Sequence, residues 1–384
     1  MSTIKVDGIR SNSASSDAIT LASDGTCTAN ITNNLSNRNK VINGAMAVHQ
    51  RSSSVTGISN ANGYNTADRW SLAMSSGGGT WTNTISTDTP DGFANSYKLD
   101  CTTANGSLAA GDNLIFRQIL EGQDLQDFAK GTSAAKGFTV SFYLKTNKTG
   151  TYVVEVYDNT NSRHVNKSYT VSNTNWNRYT LSFPADTTGA FANTNAAALF
   201  VQWWLAAGTT FTSGTLQTSW GSQVNQNRAS TLNVNLADST SNEWYITGVQ
   251  LEVDHTGSGV ATDFEHRSFG QELDLCMRYF QRFVSGNNYQ IGMGAYYTAN
   301  QLKCIIPFIK EMRSAPSVIQ VTGTDYYVFY RNGAADYFDS FGVENTDERK
   351  TCLNNSTQMS GTVGQGGIVR TYNASSRLDL NAEL

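Results

Sequence analysis

A long succession of short apolar stretches, separated by turn signals, is the feature that most constrains how this chain can fold. Between residues 41 and 266, stretches rich in Val, Phe, Tyr and Thr recur with Asn-Gly, Asp-Gly or Gly-Gly pairs between them. Such stretches are typical of strands that bury one face, and their spacing favours a two-sheet antiparallel sandwich over βαβ units. The sequence therefore predicts a mainly β protein.

Composition agrees with this expectation and limits the partners. Charged residues make up only 15% of the chain, and Ser, Thr, Asn and Gln carry the polarity in their place, which suits strands and turns more than helices. The 27 basic and 31 acidic residues give a net charge of −4, so we expect no nucleic-acid or membrane partner. The most apolar run, 196–207, is shorter than the roughly 18 residues that a membrane span needs.

Three regions follow from the pattern along the chain. Residues 1–40, rich in Ser, Thr and Asn, read either as a disordered tail or as an arm for attachment or oligomer contact. Residues 41–266 form the predicted antiparallel sandwich, in which stretches 138–144 and 152–157 are predicted to pair as a hairpin. Residues 267–384 are predicted to form a helix followed by a smaller β domain.

One amphipathic helix is predicted at the junction between the two β regions. Ser268 and Gln271 have the spacing of a capping box, which marks the start of a helix. Four apolar residues then fall at i, i+3, i+4 and i+7, as one face of a helix requires. They are Leu273, Cys276, Met277 and Phe280.

The cysteines predict neither a disulfide framework nor a metal site. Five are present, widely spaced and without a CxxC pair, so we expect reduced and mostly buried thiols. The acidic and histidine residues near 254–266 match no standard metal-ligand spacing. We therefore predict no metal and no cofactor, and thiol usage that suits assembly in a bacterial cytoplasm.

Several distinctive motifs are spread over most of the chain after residue 40. The main ones are VINGAMAVHQR (41–51), TADRW (66–70), FRQ (116–118), EWYITGVQLE (243–252), FEHR (264–267), CMRYF (276–280) and MRSAP (312–316). In this order they resemble a family of phage tail-fibre and virion structural proteins that is abundant in marine and cyanobacterial phages. The resemblance implies a carbohydrate-binding-module-like jelly roll, oligomeric assembly as a trimer and a place on the virion exterior. It implies no catalytic residue.

Tryptophans are the first candidates for contact with a glycan, since an aromatic ring can stack on the apolar face of a sugar. Trp81 and Trp220 lie in Gly/Ser/Thr-rich sequence that predicts exposed loops. Trp204 follows Trp203 in an apolar strand, so alternation sends their rings to opposite faces. Trp204 is either a sugar platform or, more in keeping with the apolar strand, buried together with Trp203.

Tyrosines of the C-terminal region form the second set of candidates. Tyr296, Tyr297, Tyr327 and Tyr330 stand near Asn and Arg residues, a mixture that suits receptor-binding surfaces. Tyrosine is also an ordinary strand residue, so this pattern alone leaves a structural role open.

Other polar residues favour structural roles. Asp68, Arg69 and Trp70 predict an Arg–Asp clamp under a packed indole, and Glu155 is expected on the solvated face of its strand. A hydrolase would need two carboxylates across a cleft, and the sequence cannot pair any. The carboxylates left open for that role are Asp112, Glu155, Asp158 and Glu243.

We therefore expect a non-enzymatic virion protein, a tail-fibre or appendage subunit that takes part in recognition of host-surface glycans. It would form a homotrimer, contact other virion proteins through residues 1–40, lie on the virion exterior and be assembled in the bacterial host cytoplasm. A capsid-decorating or adaptor protein without a ligand, and a tailspike-type polysaccharide depolymerase, remain the alternatives.

Overall fold

The structure, a computed structural model, describes residues 6–15, 17–29, 36–60, 62–255 and 257–384. Its first sheet contains β1 (Gly8–Ile9), β2 (Ile19–Leu21) and β3 (Cys27–Ala29). The strands of the sandwich region are β4 (Ser54–Ile58), β5 (Asn62–Tyr64), β6 (Ser71–Met74), β7 (Thr80–Ser86), β8 (Ser96–Thr103), β9 (Asn113–Glu121), β10 (Phe138–Thr146), β11 (Gly150–Asp158), β12 (Arg163–Val171), β13 (Asn177–Phe183), β14 (Ala197–Ala207), β15 (Gly221–Ser222) and β16 (Glu243–Val253).

The remaining elements are short helices and the C-terminal strands. The α-helices are α1 (Thr209–Thr212) and α2 (Phe269–Met277), and 3-10 turns span Gly122–Phe128, Asn225–Asn227 and Leu236–Asp238. The C-terminal strands are β17 (Phe280–Ser285), β18 (Gln290–Thr298), β19 (Gln301–Pro307), β20 (Ser317–Gln320), β21 (Tyr327–Arg331), β22 (Ala334–Phe338), β23 (Gly342–Glu344), β24 (Lys350–Asn355), β25 (Gly366–Thr371) and β26 (Arg377–Asn381). No helix in the described ranges has the length and apolarity to cross a bilayer.

Two antiparallel sheets face each other in the sandwich. One has six strands in the order β13-β10-β16-β8-β7-β4, and the other has seven in the order β15-β12-β11-β14-β9-β6-β5. Aromatic rings fill the space between them: Trp70 stacks on Phe116 with 4.6 Å between ring centroids, and Trp203 and Trp244 meet the same phenyl ring. Burying each such side chain stabilises the fold by about 1.5–3 kcal/mol. The predicted fold class, a mainly β antiparallel sandwich with few helices, is confirmed.

The hairpin predicted from stretches 138–144 and 152–157 is wrong. β10 pairs with β13 and β16 in the six-stranded sheet, whereas β11 pairs with β12 and β14 in the seven-stranded sheet. The connection at 147–149 therefore crosses from one sheet to the other. Each strand buries one side in the same interior, where Phe142 and Tyr152 are both fully buried. Alternation reports that burial but does not specify which strand is the hydrogen-bonding neighbour.

Helix α2 forms as the capping signal predicted. The Ser268 hydroxyl accepts a hydrogen bond from the Gln271 amide, and the Gln271 side chain accepts one from the Ser268 amide. Cys276 is fully buried with Tyr279 against Ile42 and Val48 of the sandwich region. The helix is one turn shorter than the apolar stripe, because Phe280 already belongs to β17.

The C-terminal strands form two further sheets around a second core. The smaller has the order β17-β26-β20, and the larger has the order β22-β21-β25-β18-β19-β24-β23. The interior of the larger sheet includes Leu302, Tyr327, Phe329 and Leu353, all fully buried. The strands expected from the sequence of this region are β18, β19, β20, β21 and β25, whereas β17, β22, β23, β24 and β26 were not predicted.

Buried ion pairs join the C-terminal strands to the sandwich. Arg69, fully buried, pairs with Glu383 and lies 3.4 Å above the Tyr279 ring. Asp68 pairs instead with Arg51, with 3.4 Å between the charged atoms. The predicted clamp is therefore structural and packs beside the buried Trp70, but its partners differ from those predicted, because Arg69 and Asp68 each pair with a residue distant in sequence.

The N-terminal strands form a small sheet of the order β1-β2-β3. None of the described residues in 6–15 and 17–27 is buried, and Ile9 is 53% exposed. A turn lies near Gly25, with Asp24 accepting hydrogen bonds from Thr26. Within the predicted arm, 1–5, 16 and 30–35 lie outside the described residues.

Candidate functional site

Trp81 is not exposed, contrary to the prediction. The side chain is fully buried in β7, and its Nε1 donates a hydrogen bond of 2.7 Å to the carbonyl of Gly78. The glycine-rich sequence before it ends in a turn at Gly79, whose φ is +80°, and β7 begins directly afterwards. Strand alternation then points the indole into the sandwich, so Trp81 has no surface to offer a glycan.

Trp204 is buried as well, which confirms the alternative of two buried rings. Trp203 lies in the core between the sheets, and Trp204 lies on the outer side of the seven-stranded sheet. The segment at 208–232 folds over it, placing Phe211 at 5.1 Å and the Arg228 guanidinium at 4.9 Å from its ring. This cover leaves no open platform at Trp204.

The prediction for Glu155 is also wrong. It was predicted on a solvated face, yet it is fully buried beneath the same segment. Arg228 donates to it from Nε at 2.9 Å and from Nη2 at 3.0 Å, and Trp204 donates at 2.9 Å. Burial raises the pKa of Glu155, but Arg228 and the hydrogen bond with His164 outweigh burial and hold the pKa below its usual value. The outer face of this sheet is polar as predicted, but it is not solvated at Glu155.

Trp220 remains half-buried at the edge of the sandwich. Its Nε1 donates to the carbonyl of Pro184 at 2.9 Å, and the Lys130 ammonium lies 5.2 Å from the ring. Lys130 is itself paired with Asp158 and Asp186 at 2.6 and 3.1 Å. The indole thus covers a buried ion-pair cluster and presents only part of its surface to solvent.

The four candidate tyrosines separate into two buried and two accessible side chains. Tyr296 and Tyr327 are 1% and 0% exposed, because alternation places them on the core side of β18 and β21. Tyr297 is 65% exposed, with Lys303 at 4.4 Å over its ring. Tyr330 is half-buried on the opposite side of β21 from Tyr327 and Phe329. Only Tyr297 and Tyr330 therefore remain available for contact.

Tyr330 belongs to a cluster that we call the tyrosine face, defined as Tyr330, Tyr337, Arg370 and Tyr372. Tyr337 and Arg370 both lie opposite Val328 in the register, which places them in one row across three neighbouring strands. The rings of Tyr337 and Tyr372 are 4.7 Å apart, and the guanidinium of Arg370 lies 5.6 Å from the Tyr330 ring. The cluster occupies the outer side of the larger C-terminal sheet.

The tyrosine face is accessible and carries an uncompensated positive charge. Tyr337 and Tyr372 are 38% and 43% exposed. Arg370 forms no ion pair with any residue that the structure describes; its Nη1 donates to the Asn288 amide oxygen at 3.2 Å, and its buried Nε has no acceptor. The Tyr372 hydroxyl beside Tyr337 raises the pKa of that phenol. The face combines aromatic surface, hydroxyls and guanidinium donors, the groups that contact sugars and polar receptors.

The candidates identified from the sequence include Tyr330 but not Arg370. A signal was present, because Ile368, Arg370 and Tyr372 alternate with the buried Val369 and Thr371. Period-two alternation would have placed all three on the outer side of β25. Alternation could not predict that Tyr337 of β22 lies beside these residues.

An apolar row continues from the tyrosine face across the same sheet. Ile368 lies opposite Tyr330 on one side and Met293 on the other. Met293 is 76% exposed and Ile305, on the next strand, is 64% exposed. Contiguous exposed apolar side chains on a sheet mark contact surfaces, so the outer side of this sheet is suited to a partner or receptor.

Each carboxylate that the sequence left open for hydrolysis is engaged by another group. The carboxylates and their partners are Asp112 with Ser75, Glu155 with Arg228, Asp158 with Lys130 and Glu243 with Lys98. Within the described ranges, no group of three or more His, Cys, Asp or Glu side chains is arranged to hold a metal ion.

No family model matches the chain, and no curated protein is significantly similar to it. Solved structures are similar over part of it. The enzymatically active domain of tailspike protein 4 from bacteriophage CBA120 is 15% identical, with 56% of this chain covering 22% of that one at a TM-score of 0.31. The family 11 carbohydrate-binding module of Clostridium thermocellum, solved with a mixed-linked tetrasaccharide, is 10% identical over 56% of this chain and 99% of that one, at 0.26.

A third example is the CBM22-1 xylan-binding domain of Paenibacillus barcinonensis Xyn10C, which is 10% identical over 52% of this chain and 96% of that one, at a TM-score of 0.25. The chain spans about a fifth of the tailspike structure. These TM-scores are low, so the functional conclusion depends on the residues of the chain itself.

Proposed function

We propose that this protein is a phage virion structural protein, a tail-fibre or appendage subunit that binds host-surface glycan through the tyrosine face. The observation that carries the proposal is the convergence of three accessible tyrosines with an unpaired arginine on one open side of a sheet. A surface of this kind offers ring faces for the C–H side of a sugar and charged donors for its oxygens.

Binding at a single face would be weak, and several copies would make it useful. Linking identical sites raises the effective concentration for the second contact, so avidity can exceed the affinity of one site by 10²–10⁴. A homotrimer would present three tyrosine faces to the same surface. No side chain of residues 6–15 and 17–27 is buried within one chain, which supports a role for residues 1–40 in contact with other copies or other virion proteins.

The virion role has support from the sequence. Motifs such as VINGAMAVHQR (41–51) and CMRYF (276–280) resemble those of phage tail-fibre proteins. We propose a place on the virion exterior and assembly in the bacterial host cytoplasm, where free thiols persist; three of the five cysteines are buried and none is in a disulfide. We also propose a non-enzymatic role, which the engagement of all four candidate carboxylates supports.

The test is binding of the purified protein to an array of bacterial surface glycans. We expect wild-type protein to bind at least one glycan class and the Tyr337→Ala/Tyr372→Ala variant to lose at least tenfold in signal. Phe269→Ala is the matched control, because Phe269 is 61% exposed on helix α2, away from the tyrosine face, and its loss should leave binding unchanged.

Other outcomes would favour the alternatives. Absence of binding to every glycan, together with failed particle assembly when the chain is deleted, would support a capsid-decorating or adaptor protein without a ligand. Release of reducing sugar from a bound polysaccharide, abolished by a single carboxylate substitution, would support a depolymerase. Labelling of intact particles with an antibody against residues 1–40 would show where the protein sits.

A further inference from the structure

Arg117 lies without a counter-ion on the outer side of the seven-stranded sandwich sheet, far in sequence from the tyrosine face. It stands in β9 in register with Ser71 on one side and Gln202 on the other. Among the residues that the structure describes, Arg117 forms no ion pair and donates no hydrogen bond, and its Nε is buried without an acceptor. Buried polar groups in folded proteins nearly always have a partner, so this arginine calls for an explanation.

The neighbouring carboxylate cannot serve as that partner. Glu155 accepts from Arg228 at 2.9 and 3.0 Å and from Gln202 at 3.1 Å. Burial lowers the pKa of Arg117, Tyr64 raises it, and Arg228 lowers it further; no carboxylate contributes. Glu155 is therefore taken by Arg228, and no carboxylate that the structure describes forms an ion pair with Arg117.

A second orphaned polar atom lies beside the arginine. Ser71 is only 2% exposed, and its Oγ has no hydrogen-bond partner among the described residues. Because Ser71 and Arg117 are directly opposite each other on paired strands, their side chains project from the same side of the sheet. A hydroxyl donor and a guanidinium thus lie next to each other with unused hydrogen-bonding capacity.

An aromatic surface adjoins these two residues. The Arg117 guanidinium lies 5.5 Å from the Phe200 ring, and the Tyr157 ring meets Phe200 edge to face at 5.7 Å. Both rings are half-buried, so each keeps part of its surface open. We call Ser71, Arg117, Tyr157 and Phe200 the sandwich ledge.

We propose that the sandwich ledge binds an acidic saccharide, with the carboxylate of a uronic acid on the Arg117 guanidinium and the sugar ring against Tyr157 and Phe200. The amino nitrogens of Arg117 are the groups left for a carboxylate, and a planar guanidinium can engage both oxygens of one. The amino nitrogens of Arg117 supply the charge and hydrogen bonds that discriminate an acidic sugar from a neutral one. A purely structural role, in which Arg117 only stacks on Phe200, leaves the charge of its guanidinium without a partner.

The test is calorimetric titration of the full chain with oligomers of galacturonate, glucuronate and alginate, each beside its carboxyl-reduced form. We expect at least one acidic oligomer to bind at least tenfold more tightly than its neutral counterpart. Arg117→Met keeps the side-chain stem but removes the charge, and we expect it to abolish this preference. Arg349→Met is the matched control, because Arg349 is a 74% exposed arginine, and we expect no effect there.

Tyr157→Ala provides an independent check should Arg117→Met fail to fold, and it should weaken binding at least fivefold. Equal affinity for acidic and neutral oligomers, no binding to any of them, or an unchanged preference in Arg117→Met would overturn the proposal. Displacement by inorganic sulfate at the same affinity as the saccharide would reduce the ledge to a simple anion site and would also overturn it. Tyr337→Ala/Tyr372→Ala should leave acidic binding intact, so this site fails or succeeds independently of the tyrosine face.

Discussion

Replacing Arg228 with alanine would leave the carboxylate of Glu155 buried without a cation. Glu155 is fully buried, and the two residues share contacts of 2.9 and 3.0 Å. The variant retains the Trp204 and Gln202 donors and His164, none of which supplies a permanent positive charge. Removing one member of a buried ion pair typically costs about 3–5 kcal/mol.

The size of the effect can be stated for the melting temperature and for its dependence on pH. A module of 150–250 residues loses roughly 2–4 °C per kcal/mol, so Arg228→Ala should melt about 10 °C below wild type. In wild type the lowered pKa of Glu155 contributes stability above about pH 4.3, which is lost as the pH falls through the folded-state pKa. In the variant the lowering by Arg228 is lost while burial persists, so the pKa of Glu155 rises and the deficit should shrink on acidification as Glu155 becomes neutral.

Urea unfolding at pH 7 and pH 4, followed by tryptophan fluorescence, measures both effects. Glu155→Gln/Arg228→Met removes the charge together with its partner and should recover most of the loss. Arg349→Ala, which breaks an exposed pair with Glu311, should change the free energy of unfolding by less than about 1 kcal/mol. A loss below 1 kcal/mol in Arg228→Ala, or no recovery in the double variant, would refute the reasoning.

Three further predictions concern residues whose burial departs from simple expectation. Trp81→Ala should cost about 3–5 kcal/mol in urea unfolding, because a fully buried ring leaves a cavity; a loss under 1 kcal/mol would contradict its place in the core. Burial raises the pKa of Asp68 to about 6, so stability should fall by up to about 1.4 kcal/mol per unit as the pH rises from 4 to 6, and Asp68→Asn should flatten that slope. Cys27 is exposed while Cys101, Cys276 and Cys304 are buried, so a thiol reagent should label Cys27 first; fast labelling of a buried thiol, read by mass spectrometry, would argue against the fold.

Local sequence signals were sufficient to predict the elements that depend on interactions between residues close in sequence. The capping residues of helix α2 and the alternation in β10, β11 and β14 appear in the structure where they were predicted. A capping box satisfies orphan amides within four residues, and alternation reflects burial of one strand face. Neither signal requires knowledge of a distant partner.

Predictions failed where distant segments decide the environment. Glu155 appears solvated from the pattern of its own strand, but Arg228, 73 residues later, covers it and supplies the counter-charge. β10 and β11 look like a hairpin because their connection is short, yet each pairs with strands further along the chain. Contacts between segments that are distant in sequence produce no hydrophobic periodicity in either segment, so the sequence pattern cannot reveal them.

At the candidate sites too, local features were predictable from the sequence and contacts between distant segments were not. Tyr330 was identified from the mixture of Tyr, Asn and Arg residues in its region, and the outward direction of its side chain follows from alternation in β21. The convergence with Tyr337 and Tyr372 depends on the strand order β22-β21-β25, which the sequence does not encode locally. The lack of a counter-ion at Arg117 could be recognised only in three dimensions, since it depends on Glu155 being taken by Arg228.

The most direct test of the central claim is a crystal structure of the protein with the saccharide selected on the glycan array. The account predicts a sugar ring against Tyr337 or Tyr372, with at least one of its oxygens within hydrogen-bonding distance of Arg370. A saccharide held elsewhere, or clasped between two carboxylates in a cleft, would contradict the account.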